Sequence, residues 1–565
     1  MIGSLFKKSP NRTPSDLERI LNIESSRTLN ASALALKWSN KLTLTNASLR
    51  PIQGLALEVI SVYGCLFGSI GVGWGKTLIC LLAGSAAGAK RPLLLCPPAL
   101  VKQMEQEAKT WSRLFRFVPP KIVSYGTLST EKGRTLLRDY GPDLIIADEM
   151  HALRHKTSVR TKRVLRYFTH TNPTAGFVGV SGTITSNSIL DYGHLLELCL
   201  RDRAPIPLSR MGVGGLQSWA SCIDPAGEGT AEDYRAIWPL VRWAGHGEFI
   251  PDTAREKKTI VRDAFRKRLT STPGVICTSE SSCEASIHIV EHRPPTGQNI
   301  RRALERLART WETPHGDPIV DASHYARTAK QLSLGFYYRW DWPGEPDLEW
   351  LNRRRAFVRA VSRVLRYSAR EGLDSPSLVE RWLEAGKGNT ETRHAWSDWL
   401  EVKHKPAPDL VAVWIDDSII EYALDWLARQ KDPAMIWYQS IAVGEALYDL
   451  GLPVYGADTE CPSSDPRYPH RIGASIAVHG KGRNLQKYHT GLVLEPCSGA
   501  RFEQLIGRYH RQGQRADLVE FHILQHTKPL RDAMVKARTD ALYIEQSTGQ
   551  KQKLNFSRYL LDQSA

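Results

Sequence analysis

Three separated stretches carry residue types that suit phosphoryl chemistry. The first is Gly71-Val72-Gly73-Trp74-Gly75-Lys76-Thr77, set between a strand-like apolar run (Val62–Ile70) and a helix-like one (Leu78–Leu82). Glycines at a strand-to-helix turn let backbone N–H groups close around phosphate oxygens, and the helix N-terminus adds the positive end of its dipole. Gly73 and Gly75 would line such a loop, Lys76 would reach the β- and γ-phosphates of ATP, and Thr77 would hold Mg²⁺. The strict pattern asks for glycine at position 70, where this chain has Ile70. A glycine-rich turn without a ligand is the plainer reading of the loop taken alone.

The second stretch, Asp143-Leu144-Ile145-Ile146-Ala147-Asp148-Glu149-Met150-His151, reads as a buried strand ending in two carboxylates. Asp148 would share the Mg²⁺ with Thr77, and Glu149 would orient and deprotonate an attacking water. An ordinary cap for the next helix is the alternative. The third is Gln504-Leu505-Ile506-Gly507-Arg508-Tyr509-His510-Arg511-Gln512-Gly513-Gln514. Arg508 and Arg511, three apart, share a helix face. They would act as arginine fingers on a γ-phosphate or, more simply, belong to a solvated basic helix.

Together these stretches resemble the Swi/Snf-type ATPases of helicase superfamily two, and the resemblance spans both halves of the chain. On that resemblance Leu49-Arg50-Pro51-Ile52-Gln53 is similar to the adenine-reading Q motif, with Gln53 as reader. Asp148 to His151 is similar to a DExH box. Ser181-Gly182-Thr183 is similar to the motif that couples the nucleotide to the rest of the engine, with His151 and Gln504 in the same coupling role. Pro97, Ser124, Tyr125, Thr127 and Asn187 fall in motifs that contact a nucleic-acid strand. Gly480-Lys481-Gly482-Arg483-Asn484-Leu485 is similar to the motif preceding the arginines, which places Gly482 at the cofactor and Asn484 at the nucleic acid. Arg483 stands where the family usually has an aliphatic residue. The ending His510-Arg511-Gln512-Gly513-Gln514 points to the Swi/Snf branch.

The elements that must position these residues follow from the hydrophobic rhythm. Residues 46–200 alternate apolar strand candidates (Cys65–Ile70, Leu93–Cys96, Ile122–Ser124, Leu144–Ala147, Phe177–Val180) with helical patterns such as Leu100–Trp111 and Thr157–Phe168. That alternation predicts a parallel sheet with helices on both faces and ligands at the carboxyl ends of its strands. The same rhythm returns over 409–528, with a helix over Asp416–Arg429 and strands at Met435–Tyr438, Ser475–His479, Gly491–Glu495 and Val519–Leu524. The expected fold is therefore α/β. On the resemblance it has two RecA-like parallel-sheet lobes, a largely helical insertion over 201–408, an N-terminal extension over 1–45 and a C-terminal helical brace over 529–565. A short capped helix is expected from Ser15.

Within the insertion, Phe357, Val361, Val364 and Leu365 share one helix face, while Arg355, Arg359, Arg363 and Arg366 line another. Either a solvated face or a phosphate-tracking surface fits that pattern. Most of the insertion's tryptophans are expected in the core.

At 565 residues, with a formal net charge of +16, the chain is long enough for several domains and basic enough to suggest a polyanion, nucleic acid first. The nine cysteines show no metal-ligand spacing and are expected as reduced thiols, without zinc or disulfides. No apolar run suits a signal peptide or a membrane span, so a soluble intracellular protein is expected. The resemblance implies an ATP- and Mg²⁺-dependent translocase on double-stranded or forked DNA. A strand-separating DExH helicase shares every catalytic residue. A nucleotide-gated clamp on nucleic acid or a polymerase, with little turnover, is the alternative of another class.

Overall fold

Short runs of Leu, Ile, Val and Ala, polar only at their edges, form strands buried on both faces. The computed structural model describes residues 16–185, 187–208, 215–278, 280, 283–367, 373, 376–457, 459, 469–480 and 484–562. The chain forms two units. One comprises residues up to Ala285 with Ser498–Asp517 and Lys536–Ser557; the other comprises Ser286–Cys497, Leu518–Val535 and the chain from Arg558.

The first unit holds six parallel strands: β1 (Leu66–Ser69), β2 (Pro92–Cys96), β3 (Lys121–Ser124), β4 (Leu144–Asp148), β5 (Gly176–Ser181) and β6 (Val275–Cys277), in the order β3-β2-β4-β5-β1-β6. Successive side chains sort to opposite faces. Ile145 and Ala147 join Phe67, Leu93 and Phe177 against the Gly193–Leu200 helix, while Leu144 and Ile146 join Leu66, Leu94 and Val178 against the Pro51–Tyr63 and Lys76–Ala87 helices. The order β4-β5-β1 brings three carboxyl ends side by side, those that precede Glu149, Gly182 and the Gly71–Thr77 loop.

The second unit begins with β7 (Ser286–His292). An antiparallel pair, β8 (Phe336–Asp341) and β9 (Asp409–Trp414), lies apart from its large sheet. The remaining strands are β10 (Ala434–Tyr438), β11 (Val454–Tyr455), β12 (Arg471–Ser475), β13 (Thr490–Val493), β14 (Leu518–Leu524) and β15 (Arg558–Leu561). Seven strands form a second parallel sheet ordered β11-β12-β10-β13-β14-β7-β15. The α/β class with two parallel sheets is as the alternation predicts.

Several boundaries differ from the sequence reading. Val62 and Tyr63 close the Pro51–Tyr63 helix, which stops at Gly64 with φ of 64°, instead of starting a strand. The strand expected at Ser475–His479 lies at Arg471–Ser475, and Ile476–His479 turns into a short helix. The segment 201–408 is mostly helical, yet it contributes β6 to the first sheet and β7 to the second. Residues 498–517, expected with the second sheet, pack with the first unit. The chain after 529 ends in a strand, β15, as well as helices. A helix occupies Asp16–Leu21; Ser15 and the rest of the N-terminal residues lie outside the described residues. No helix among the described residues is long and apolar enough to cross a membrane. Each cysteine among them is a free thiol.

The arginine-rich helix Leu348–Tyr367 buries Phe357, Val361 and Val364 as its periodicity predicts. Three of its arginines pair with carboxylates, Arg355 with Asp317 (3.2 Å), Arg359 with Glu312 (3.0 Å) and Arg363 with Glu391 (2.7 Å), the last two while still exposed. The side chain of Arg366 lies outside the described residues. Trp350 and Trp396 are buried, and Trp350 packs edge-on to Trp340, Trp342 and Trp399.

His522 and His526, shielded from solvent in the second unit, should make it acid-sensitive. His292 Nε2 meets His522 Nδ1 at 2.6 Å, while His292 Nδ1 faces Tyr422 and Asp562. Burial, then the His292 charge, push His522 down to about 3, with Asp562 opposing; burial pushes His526 down to about 4. Both folded values lie below the unfolded one, about 6.5. The unfolded chain then binds more protons as pH falls from about 6.5, and stability drops with it. The denaturation midpoint should fall between pH 7 and 5, and His522→Gln should make that fall shallower; an unchanged pH profile in the variant would contradict the assignment.

Candidate nucleotide site

The loop between β1 and the Lys76–Ala87 helix turns on two glycines with positive φ, Gly73 (95°) and Gly75 (75°). Both conformations are natural to glycine. A Cβ at Gly75 would also lie 2.4 Å from Gln53 Nε2. Gln53 is 4% exposed, its Oε1 accepts from the Arg50 N–H and its Nε2 donates to the Gly75 carbonyl at 3.2 Å. Arg50 Nη1 donates to the Gly73 carbonyl at 2.8 Å. The residue expected to read adenine is therefore a brace of the loop, with both ends of its amide engaged. Ile70, where the strict pattern has glycine, is fully buried, and its carbonyl accepts from Lys76 Nζ at 3.1 Å, beside that of Gly71 at 3.3 Å.

Asp148 and Glu149 stand at the end of β4. Asp148 is 5% exposed. Burial, then the Glu149 charge, push its carboxyl up to about 7, with Lys76 opposing. Burial would raise Glu149 as well, but Lys76, His151 and Ser181 hold it well below the usual carboxylate range. Its Oε2 takes a hydrogen bond from Ser181 Oγ at 3.1 Å and lies 3.2 Å from His151 Nδ1. Glu149 has φ of 52°, a left-handed conformation that costs a non-glycine residue roughly 1–3 kcal/mol and is held only where its surroundings fix it. The result is an ionised carboxylate at a fixed orientation beside a second carboxyl lacking full counter-charge. A hydroxyl (Thr77) and a carboxylate (Asp148) are the oxygen donors that Mg²⁺ takes when nucleotide phosphates complete its shell.

The Ser181–Thr183 turn joins this centre to the distant arginine helix. Gln504 Nε2 donates to Thr183 Oγ1 at 3.0 Å in a buried contact. Position 507 must be glycine for close approach, because a Cβ there would sit 2.7 Å from Val72 Cγ1 in the Gly71–Thr77 loop. Arg508 is buried, and its Nε donates to the Gln504 carbonyl at 3.0 Å. Burial lowers the Arg511 pKa, and the charges acting on it are Glu107 and Arg50, the latter already at the loop. Lys76, Thr77, Asp148, Glu149, His151, Ser181, Gly182, Thr183, Gln504, Arg508 and Arg511 thus all belong to the first unit.

The residues expected at nucleic acid divide. Tyr125 is 2% exposed and its hydroxyl donates to the Asp148 carbonyl at 2.8 Å, which makes it a support of the carboxylate turn. Ser124 and Thr127 bond each other through their hydroxyls at 2.9 Å. Pro97 is half-buried after β2, and Asn187 is exposed. Asn484 is exposed in the second unit. Gly482 and Arg483 lie outside the described residues.

Sequence reasoning missed a further set of contacts at the same centre. Gln550, fully buried, donates from Nε2 to the Gly182 carbonyl at 2.5 Å and accepts from Ser69 Oγ at 2.9 Å. Thr278 Oγ1 accepts from the Gly71 N–H at 2.9 Å. Lys553 Nζ lies 3.2 Å from Glu503 Oε1, with both side chains at most 5% exposed. No local spacing announces such pairs; a glutamine and a lysine in a basic tail give no signal.

No protein-family model matches the chain, and no curated protein matches it. The functional reading accordingly rests on residue chemistry and geometry.

Removing one partner of a buried ion pair strands the other charge, at a cost of about 3–5 kcal/mol. Lys553→Met should lower stability by that order in chemical denaturation, and Glu503→Gln in the same chain should restore part of it. A loss below about 1 kcal/mol would show that the pair does not hold the arginine helix to the C-terminal segment.

Proposed function

We propose that this protein is an ATP-dependent translocase on double-stranded DNA, with the two parallel sheets serving as RecA-like lobes. The observation that carries the ATPase reading is the convergence, at three adjacent strand ends, of the Lys76 loop, the Asp148–Glu149 turn and the Ser181–Thr183 turn, with Gln504 bonded to Thr183. Gly73, Gly75 and the helix N-terminus would cradle the phosphates, and Lys76 would neutralise the β/γ oxygens. Thr77 and Asp148 would hold Mg²⁺, which supplies charge neutralisation on the phosphates. Glu149, kept ionised and oriented by Ser181 and His151, would take the proton of the attacking water. Arg508 and Arg511 would stabilise the charge that develops on the transferred phosphoryl group; such arginines are typically worth about 10³–10⁵ in rate. Thr183 and Gln504 would pass the state of the phosphates to the arginine helix.

The DNA part rests on the charge of +16 and on where that charge is unspent. Arg301, Arg302, Arg306 and Arg309 are exposed on the Gln298–Thr310 helix of the second unit. Among the described residues none of the four side chains has an ion-pair or hydrogen-bond partner. Arg355, Arg359 and Arg363 of Leu348–Tyr367, by contrast, are matched to carboxylates. Guanidinium groups without carboxylate partners on one helix face suit phosphates read without regard to sequence.

ATP turnover measured alone and with single-stranded DNA, duplex DNA and RNA tests the proposal. Duplex DNA should stimulate turnover most, and Glu149→Gln should abolish it. Arg302→Glu with Arg306→Glu should weaken duplex binding and reduce the slope of log affinity against log salt by about 2. Turnover indifferent to every nucleic acid would overturn the translocase reading.

A further inference from the structure

The second unit contains a cavity of about 420 Å³ at the junction of the Ala322–Ser333 helix, β8 and the Leu348–Tyr367 helix. Arg327, Arg339 and Arg354 line it, each from a different one of these elements, together with His324, Tyr338 and Trp340. The Arg354 guanidinium lies over the Trp340 ring, 4.7 Å from its centroid, and 5.6 Å from that of Trp350. Aromatic faces hold the cation in place but leave its N–H groups without acceptors. Among the described residues, none of the three guanidinium groups has a hydrogen-bond or ion-pair partner.

The acidic groups in the wall are already engaged. Asp317 pairs with Arg355 at 3.2 Å, and Asp321 caps its helix by accepting from the His324 N–H at 2.7 Å. The half-buried Arg354 feels the Asp317 carboxylate, but that group is paired directly with Arg355 and leaves the Arg354 N–H groups without an acceptor. Arg327 and Arg339 are exposed at the rim of the same concavity, so three guanidinium groups from three elements line it around the half-buried Arg354. Planar forks suit phosphate oxygens, and the volume falls within the range of small-molecule sites, roughly 300–1,000 Å³. Tyr338 and Trp340 add apolar aromatic wall for the remainder of the ligand.

We propose that this cavity binds the phosphate group of a nucleotide through Arg327, Arg339 and Arg354, with Tyr338 and Trp340 against the sugar and base. The same chemistry is offered by a free mononucleotide and by the phosphorylated end of a single strand. The site is independent of the ATPase reading, since it shares no residue with the first unit.

The test uses the full chain carrying Lys76→Ala, so that the loop of the first unit contributes least. Deoxyadenosine monophosphate is titrated by calorimetry, and a short single-stranded oligonucleotide, with and without a 5′-phosphate, by fluorescence anisotropy. Arg327→Ala with Arg339→Ala, both exposed positions where folding is safe, should weaken binding of the phosphate-bearing probe at least about tenfold, and Arg354→Gln should do the same. Weakening seen with the mononucleotide assigns the site to free nucleotide. Weakening seen only with the 5′-phosphorylated strand assigns it to a strand end. Affinities for both phosphate-bearing probes that the double variant leaves unchanged, or absence of binding at moderate salt before these substitutions, would overturn the proposal.

Discussion

Two adjacent carboxyl groups at the end of a buried strand cannot both ionise without counter-charge, and the first unit is arranged around that constraint. Asp148 and Glu149 follow four residues that lie wholly inside the sheet. The surroundings split their behaviour: Asp148 is pushed up by burial and by its neighbour, while Glu149 is held ionised by Lys76, His151 and Ser181. Each of those partners comes from a different connection, and the order β4-β5-β1 is what brings the connections together. The pair then has the form that metal-assisted hydrolysis needs, one carboxylate short of a cation and one aimed by hydrogen bonds.

The same network reaches outward through polar contacts that are buried or partly buried. Ser181 contacts Glu149, Thr183 contacts Gln504, and Gly182 contacts Gln550. Buried polar groups of this kind stabilise only when their partners are in place, so displacement at one is felt by the others. The buried Glu503–Lys553 pair extends this to the C-terminal segment. Inclusion of 498–517 and 536–557 in the first unit follows from these contacts: the arginine helix is tied to the carboxylate centre by hydrogen bonds, ion pair and the close approach of Gly507 to Val72.

Much of this was legible in the sequence where the signal was local. β1 to β5 lie within a residue or two of their apolar runs, because β1, β2, β4 and β5, flanked by strands on both sides, are almost wholly buried and so apolar, and only the edge strand β3 is partly exposed. The Gly71–Thr77 turn and the Asp148–Glu149 pair were legible because glycines at a strand-to-helix turn and carboxylates at a strand end are set by a few neighbouring positions. Ambiguity came where a short apolar run fits either element: Ile476–His479 continues the apolar letters of β12 but forms a helix, and Val62–Tyr63 ends one. Long-range pairing was invisible. The pattern of Arg355, Arg359 and Arg363 was read correctly as one helix face, but Asp317, Glu312 and Glu391, which occupy it, come from other elements. The Thr183–Gln504 bond spans 321 positions, and no spacing rule reaches that far.

The central claim is that Lys76 and Glu149 serve one nucleotide in different ways, Lys76 in holding it and Glu149 in hydrolysing it. Equilibrium binding of ATP with Mg²⁺, measured by calorimetry on the unsubstituted chain, on Lys76→Ala and on Glu149→Gln, tests that claim most directly. The account predicts that Glu149→Gln keeps the affinity of the unsubstituted chain to within a few-fold, while Lys76→Ala loses at least about tenfold. Equal affinity in Lys76→Ala, or no ATP binding by the unsubstituted chain, would contradict it.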